Sequence, residues 1–95
     1  MHIPVEVKIG YKDYSVEKVN DLNDGRNILY GQILYDEEKI KLKSDLTQNM
    51  LKCTLLHEVV HGIDEQNAIN LTEEQVEKLG VGLYQFIRDN PEIFK

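Results

Sequence analysis

Ninety-five residues, 41% of them hydrophobic and 29% charged, allow one small domain with one modest core and leave no material for a second. The net charge of −6 argues against a nucleic-acid backbone as partner, since that partner is normally met by a concentrated basic surface. No apolar run approaches the roughly 20 residues a membrane-spanning helix needs, the start of the chain lacks the form of a signal peptide, and the single cysteine, Cys53, excludes an internal disulfide, so a cytoplasmic protein is the expectation.

Alternation over residues 3–19 predicts two short strands about a turn at Gly10-Tyr11-Lys12-Asp13, with Val5, Val7 and Ile9 on one face of the first and Tyr14, Val16 and Lys18 along the second. Residues 20–27 are rich in Asn, Asp and Gly and read as an exposed loop. Residues 28–35 and 39–43 predict an antiparallel hairpin reversed at Asp36-Glu37-Glu38. Gly31 interrupts its first strand and marks a bulge, a close approach by another backbone, or a tolerated weak spot. Lys39, Lys41 and Lys43 alternate with Ile40 and Leu42, the pattern of a solvated strand face.

A helix is expected over residues 45–66, capped by Ser44 or Asp45, with Leu46, Met50, Cys53, Leu56, Val60 and Ile63 at helical spacing. Leu51, Leu55 and Val59 widen its apolar surface, which predicts burial between the sheet and a second helix. That second helix opens at a capping box formed by Thr72 and Gln75, carries a stripe of Val76, Leu79, Leu83 and Ile87 with Gly80 on the same side, and ends near Asp89 before Asn90-Pro91. The fold expected is α+β, a small antiparallel sheet of three to four strands packed on these two helices.

The first helix contains His57-Glu58-Val59-Val60-His61, an H-E-x-x-H motif. Residues four apart share a helical face about 6 Å apart along the axis, so two imidazoles reach one ion. Glu58, one step round, is placed to act as a general base on a water rather than as a ligand. Gly62 follows directly and costs about 1 kcal/mol of helix propensity, for which close packing beside the metal and ordinary tolerance are equal explanations.

Catalytic zinc keeps three protein ligands and one open position, so a third ligand is required. Asp64 and Asn67 stand where the extended three-histidine motif needs glycine and histidine. Cys53 and Glu65 would stretch the ligand set over about 12 Å of helix. Asp64 either orients the His61 ring or is a solvated helix-end carboxylate. Glu73, Glu74 and Glu77 remain, at about 60°, 160° and 100° from Val76 around the second helix, which nominates Glu73 while leaving the others open. Tyr30 and Tyr84 are candidate oxyanion donors by residue type alone, with packing as the simpler role.

The motif followed by Glu73, with Glu77 four positions later, resembles the gluzincins. The run Leu29-Tyr30-Gly31-Gln32-Ile33, then Lys39-Ile40-Lys41-Leu42, then Thr54-Leu55-Leu56 leading into the motif looks like small phage and prophage proteins of the ImmA/IrrE-like metallopeptidase group. The resemblance covers residues 29–87. The chain departs from larger members in its short connection from His61 to Glu73, in lacking a helix-turn-helix or sensor domain, and in having Gly80 where alanine is more usual. The resemblance implies a minimal zincin: a zinc-dependent peptidase, here a regulatory protease acting on a peptide or protein, with zinc on His57, His61 and Glu73 and with Glu58 as general base. The competing expectation is a non-catalytic zinc-stabilised domain that binds a partner protein, and a metal-free interaction domain is a third.

Overall fold

The computed structural model describes residues 2–94, which form an α+β domain. Strands β1 (Glu6–Ile9), β2 (Lys12–Val19), β3 (Gly31–Leu34) and β4 (Lys39–Lys43) precede helices α1 (Gln48–Asn67) and α2 (Glu73–Asp89), and a short 3₁₀ turn (Pro91–Phe94) closes the chain. The sheet order is β1-β2-β4-β3. Among the described residues no helix is long and apolar enough to cross a membrane.

The sheet is mixed, which corrects the expected antiparallel arrangement. Both hairpins are antiparallel, but β4 pairs with β2 in parallel, Val16 opposite Ile40 and Lys18 opposite Leu42. The cause lies in which strand takes the interior. Ile40 and Leu42 are fully buried, so β4 sits in the middle, and β3, which begins at a glycine, is left at the edge. The segment between β2 and β3 opens the crossover that parallel pairing requires, and β3 itself runs back to complete it. It is anchored, against expectation, by buried Leu22, whose carbonyl accepts from the Leu29 N–H at 2.9 Å, and by Asp24, whose side chain accepts from the N–H groups of Arg26 and Asn27. Ile28 and Leu29 pair with this loop, Ile28 through a bridge to Asn23, so β3 is shorter than the predicted strand.

One sheet face packs Ile9, Tyr14, Ile40 and Leu42 against Leu51 and Leu55 of α1, with Val7, Val16, Ile33 and Val59 around them. Burying each large aliphatic side chain contributes about 1.5–3 kcal/mol. Lys39, Lys41 and Lys43 lie on the opposite face, as their alternation predicts. Lys39 approaches Glu17 at 3.9 Å and Lys43 approaches Asp45 at 2.5 Å. Val5 precedes the first strand pair and is exposed rather than sharing the face of Val7 and Ile9.

Helix α1 begins at Gln48, three residues later than expected, because Thr47 is the cap: its Oγ1 accepts from the Met50 N–H at 3.2 Å. Asp45 is engaged with Lys43 and the Ser44 hydroxyl donates to Asn20 Oδ1 at 2.8 Å. The face turned to the sheet is Leu51, Leu55, Glu58 and Gly62, while Met50 and Ile63 of the predicted stripe are exposed. Gly62 is explained by the sheet rather than by a metal: a Cβ there would lie 2.8 Å from Ile9 Cδ1 and 3.3 Å from Ile33 Cδ1. Gln66 Nε2 donates to the Ile9 carbonyl and ties the end of α1 to the β1–β2 turn.

The connection to α2 is short and strained. Ala68 closes α1 at φ 50° and Asn70 follows at φ 67°, both left-handed, and Asp64 Oδ1 accepts from the N–H groups of Asn70 (2.7 Å) and Leu71 (3.4 Å). Asp64 therefore builds the turn and does not orient His61. Ala68→Gly should stabilise the fold by about 0.5–1 kcal/mol, since the left-handed penalty of a Cβ outweighs the added freedom of glycine in the unfolded chain. A urea titration would show the midpoint rising, and a fall would contradict the strain.

Helix α2 opens with the predicted capping box: Gln75 N–H donates to Thr72 Oγ1 at 3.1 Å and Thr72 N–H donates to Gln75 Oε1 at 2.9 Å. Among the described residues it packs on α1 and on the 3₁₀ turn that follows it, and not on the sheet. Its buried residues are Val76, Gly80 and Tyr84, whereas Leu79 and Leu83 remain 46% and 39% exposed. The contact face is thus turned about 40° from the apolar stripe. That rotation carries Glu73 and Glu77 toward α1.

Candidate functional site

Helix α1 lies between the sheet and α2, so its two sides do different work. The sheet fixes it through Leu51, Leu55 and Gly62, and His57 and His61 project from the side that meets α2. Their rings stand 4.9 Å apart between centroids at an interplanar angle of 65°. Gly80 sets how near α2 comes: a Cβ there would be 3.1 Å from His57 Cα. The closeness lets one carboxylate meet both rings.

Glu73 Oε1 lies 2.8 Å from His57 Nε2, and Glu73 Oε2 lies 3.1 Å from His61 Nε2. On the far side of the first ring, Glu77 Oε2 lies 3.2 Å from His57 Nδ1. Glu74 turns away and pairs with Lys78 at 3.0 Å. The structure therefore brings together His57, His61 and Glu73, with Glu77 behind His57, and leaves Glu74 out. One donor atom from each of His57, His61 and Glu73 lies within 4.8 Å of the others. An ion with bonds of about 2 Å holds tetrahedral ligand atoms about 3.3 Å apart, so the two nitrogens and the carboxylate could hold one with small adjustment. A carboxylate accepting the Nδ1–H of His57 leaves Nε2 with its lone pair toward the shared centre.

Glu58 occupies the sheet side of the same turn and is only 6% exposed. Burial pushes its carboxyl up to about 7; the nearby His57 opposes that shift and Glu73 adds to it. Gly31 of the edge strand makes the room. A Cβ on it would lie 2.5 Å from Thr54 Cγ2 and 3.0 Å from Glu58 Oε2, so the interruption in the strand is a close approach to two side chains of α1. Gly31→Ala should cost about 1–3 kcal/mol through this overlap. Thr54→Ser, which removes the nearest methyl, should recover part of the loss in the double variant; denaturant midpoints of the three variants against wild type measure it, and additive losses would place the cost elsewhere.

A cleft of about 730 Å³ opens over this cluster between α1, α2 and residues 28–31, with His57, Glu58, Glu73 and Glu77 in its wall. Tyr30 lines it at the rim. Tyr84 does not: it is buried, and its hydroxyl donates to Asn49 Oδ1 at 2.9 Å, a packing role. Cys53 lies in the cleft wall and outside the ligand cluster, its thiol pushed up by burial and by Glu77. Tyr35 was not indicated by the sequence pattern. Its hydroxyl donates to the His61 carbonyl at 3.5 Å, and burial, with Glu58 close by, pushes the phenol up. Nothing local distinguishes Tyr35 from any other aromatic at a strand end, so only the packing of β3 on α1 reveals it.

Comparison with protein-family models, with curated proteins and with solved structures found no match to this chain. Two imidazoles and a carboxylate around one point, with a buried carboxyl of raised proton affinity lining the same cleft, are suited to activating a water beside a polarised carbonyl.

Proposed function

We propose that the chain is a zinc-dependent peptidase whose metal is held by His57, His61 and Glu73. The observation that carries this reading is the placement of Glu73 across both imidazoles while Glu58 faces the same cleft. Bound there, zinc supplies a Lewis acid for the scissile carbonyl and for an attacking water. Glu58 accepts the proton of that water and passes it to the leaving nitrogen. Glu77 holds His57 in register through Nδ1.

Strand β3 supports a peptide substrate, because it is an edge. The Lys43 N–H donates to the Tyr30 carbonyl at 2.9 Å, so by antiparallel alternation Gly31 and Ile33 turn their N–H and C=O groups to the open side. An extended peptide can add there as a strand, with its backbone beside Glu58. A non-catalytic, closed zinc site would need a fourth protein donor. Glu77 is engaged with the other nitrogen of His57, and Cys53 stands a full turn away from it. The lone thiol suits a reducing cytoplasm, and the resemblance to small phage and prophage metallopeptidases supports regulatory cleavage of a protein target.

Removing the metal tests the assignment. The purified protein should carry one zinc, lose cleavage of a peptide library on chelation, and recover it on adding zinc. Its melting temperature should fall with the metal, since binding to the folded state alone adds stability. Cleavage that survives chelation would exclude the proposal.

A further inference from the structure

The cleft continues past His57 and Glu77. Helices α1 and α2 run antiparallel, as His61 beside Glu73, His57 beside Gly80 and Asn49 beside Tyr84 show. Moving back along α1 from His57 therefore keeps pace with moving forward along α2 from Glu77. One helical turn on, about 6 Å by the helix rise, the walls are Cys53 and Val81, and nearly another turn on comes Met50. Facing them, Ile28 and Tyr30 on the segment entering β3 are 71% and 55% exposed and line the same cleft. Among the described residues lining it the one cation, Lys43, is already held by Asp45 at 2.5 Å.

The trough is thus anionic at one end and apolar over the next two turns. Large apolar side chains left open in a concave wall mark a place where an apolar group is bound. Side chains on one face of an extended peptide recur about every 6.8 Å, close to the one-turn step from His57 to Cys53. A peptide lying along β3 with its reacting bond at Glu58 brings a neighbouring side chain over Cys53 and Val81. The cleft volume of about 730 Å³ is in the range that encloses such a segment.

We propose that the trough formed by Ile28, Tyr30, Met50, Cys53 and Val81 is a side-chain subsite that selects extended peptides with a large apolar residue beside the bond facing Glu58. This rests on the peptidase reading above. Acidic residues at the same position are rejected, because Glu77, which is not a ligand, borders the trough and the chain carries a net charge of −6.

The test separates the subsite from the chemistry. A capped library of alanine and serine peptides with one varied position is offered to zinc-loaded Glu58→Gln protein for binding and to zinc-loaded wild type for cleavage. Both readouts should favour leucine, phenylalanine and methionine over aspartate and glutamate by about 10- to 200-fold at that position. Val81→Lys should turn the preference toward acidic residues with zinc content unchanged, and Met50→Lys, at a position more than a third exposed, carries the same expectation should the first variant fail to fold. Selective binding without cleavage would uphold the subsite and overturn the peptidase reading. Cleavage without side-chain preference, or with a preference that neither lysine moves, would overturn the subsite and leave the peptidase reading standing. Absence of both selective binding and cleavage would overturn both.

Discussion

Glu58→Gln protein should bind one zinc as the wild type does and cleave peptides about 10²- to 10⁴-fold more slowly, the range a positioned general base supplies. Glutamine keeps the shape of the side chain and cannot take a proton, so it separates chemistry from packing. The variant has a second readout in the metal-free protein. The Glu58 carboxyl is raised from 4.5 to about 7 by burial, so the folded state holds a proton that the unfolded state gives up between those values. That makes Glu58 a liability absent below pH 4.5, growing as pH rises, and complete above 7, where it amounts to about 3 kcal/mol. Metal-free Glu58→Gln should therefore match wild type in stability at pH 4.5 and exceed it by roughly that amount at pH 8. Equal stabilities at both pH values would show that the carboxyl is better solvated than its burial indicates, and undiminished cleavage would remove it from the chemistry.

The second large effect distinguishes the three carboxylates of α2. Glu73→Ala should weaken zinc binding by more than 100-fold, because loss of a hydrogen-bonded partner behind a ligand already costs about 10- to 100-fold. Glu77→Gln, which perturbs only the partner of His57 Nδ1, should fall within that smaller range. Glu74→Ala, which removes an exposed pairing with Lys78, should leave affinity unchanged. Competition against a chromogenic chelator orders the three. Glu73 stands in the first turn of α2, so its removal costs the fold only about 0.3–1 kcal/mol of helix-dipole stabilisation, and the loss of metal is not a loss of structure. Wild-type affinity in Glu73→Ala, or a large loss in Glu74→Ala, would reassign the third ligand.

These expectations draw unequally on sequence and on structure. The pairing of His57 with His61 and the capping box of Thr72 with Gln75 are legible because helical period and cap chemistry are local. The angle of Glu73 from Val76 favours it among the three carboxylates, and in the structure it lies against both imidazoles. The direction of α2 is not legible from its apolar stripe: Leu79 and Leu83 fit the pattern and stay half-exposed, because α2 packs on α1 and not on the sheet among the described residues, and is turned by the Gly80 and Tyr84 contacts. The parallel pairing of β2 with β4 was hidden for a similar reason. Hairpin signals near Asp36 specify which strands are neighbours in sequence, and only the competition for the sheet interior puts Ile40 and Leu42 ahead of β3. Gly31 had three readings that no local rule could separate, and Thr54 and Glu58 decide among them. The start of α1 is not legible because Ser44, Asp45 and Thr47 are all good caps; Ser44 and Asp45 are engaged by Asn20 and Lys43, and Thr47 is left to cap the helix.

The most direct test of the central claim is a crystal structure of the zinc-loaded protein with anomalous scattering recorded at the zinc edge. A single ion should lie on Nε2 of His57, Nε2 of His61 and the carboxylate of Glu73, with one coordination position open toward Glu58 and the cleft. An ion placed elsewhere, or one closed by a fourth protein ligand, would contradict it.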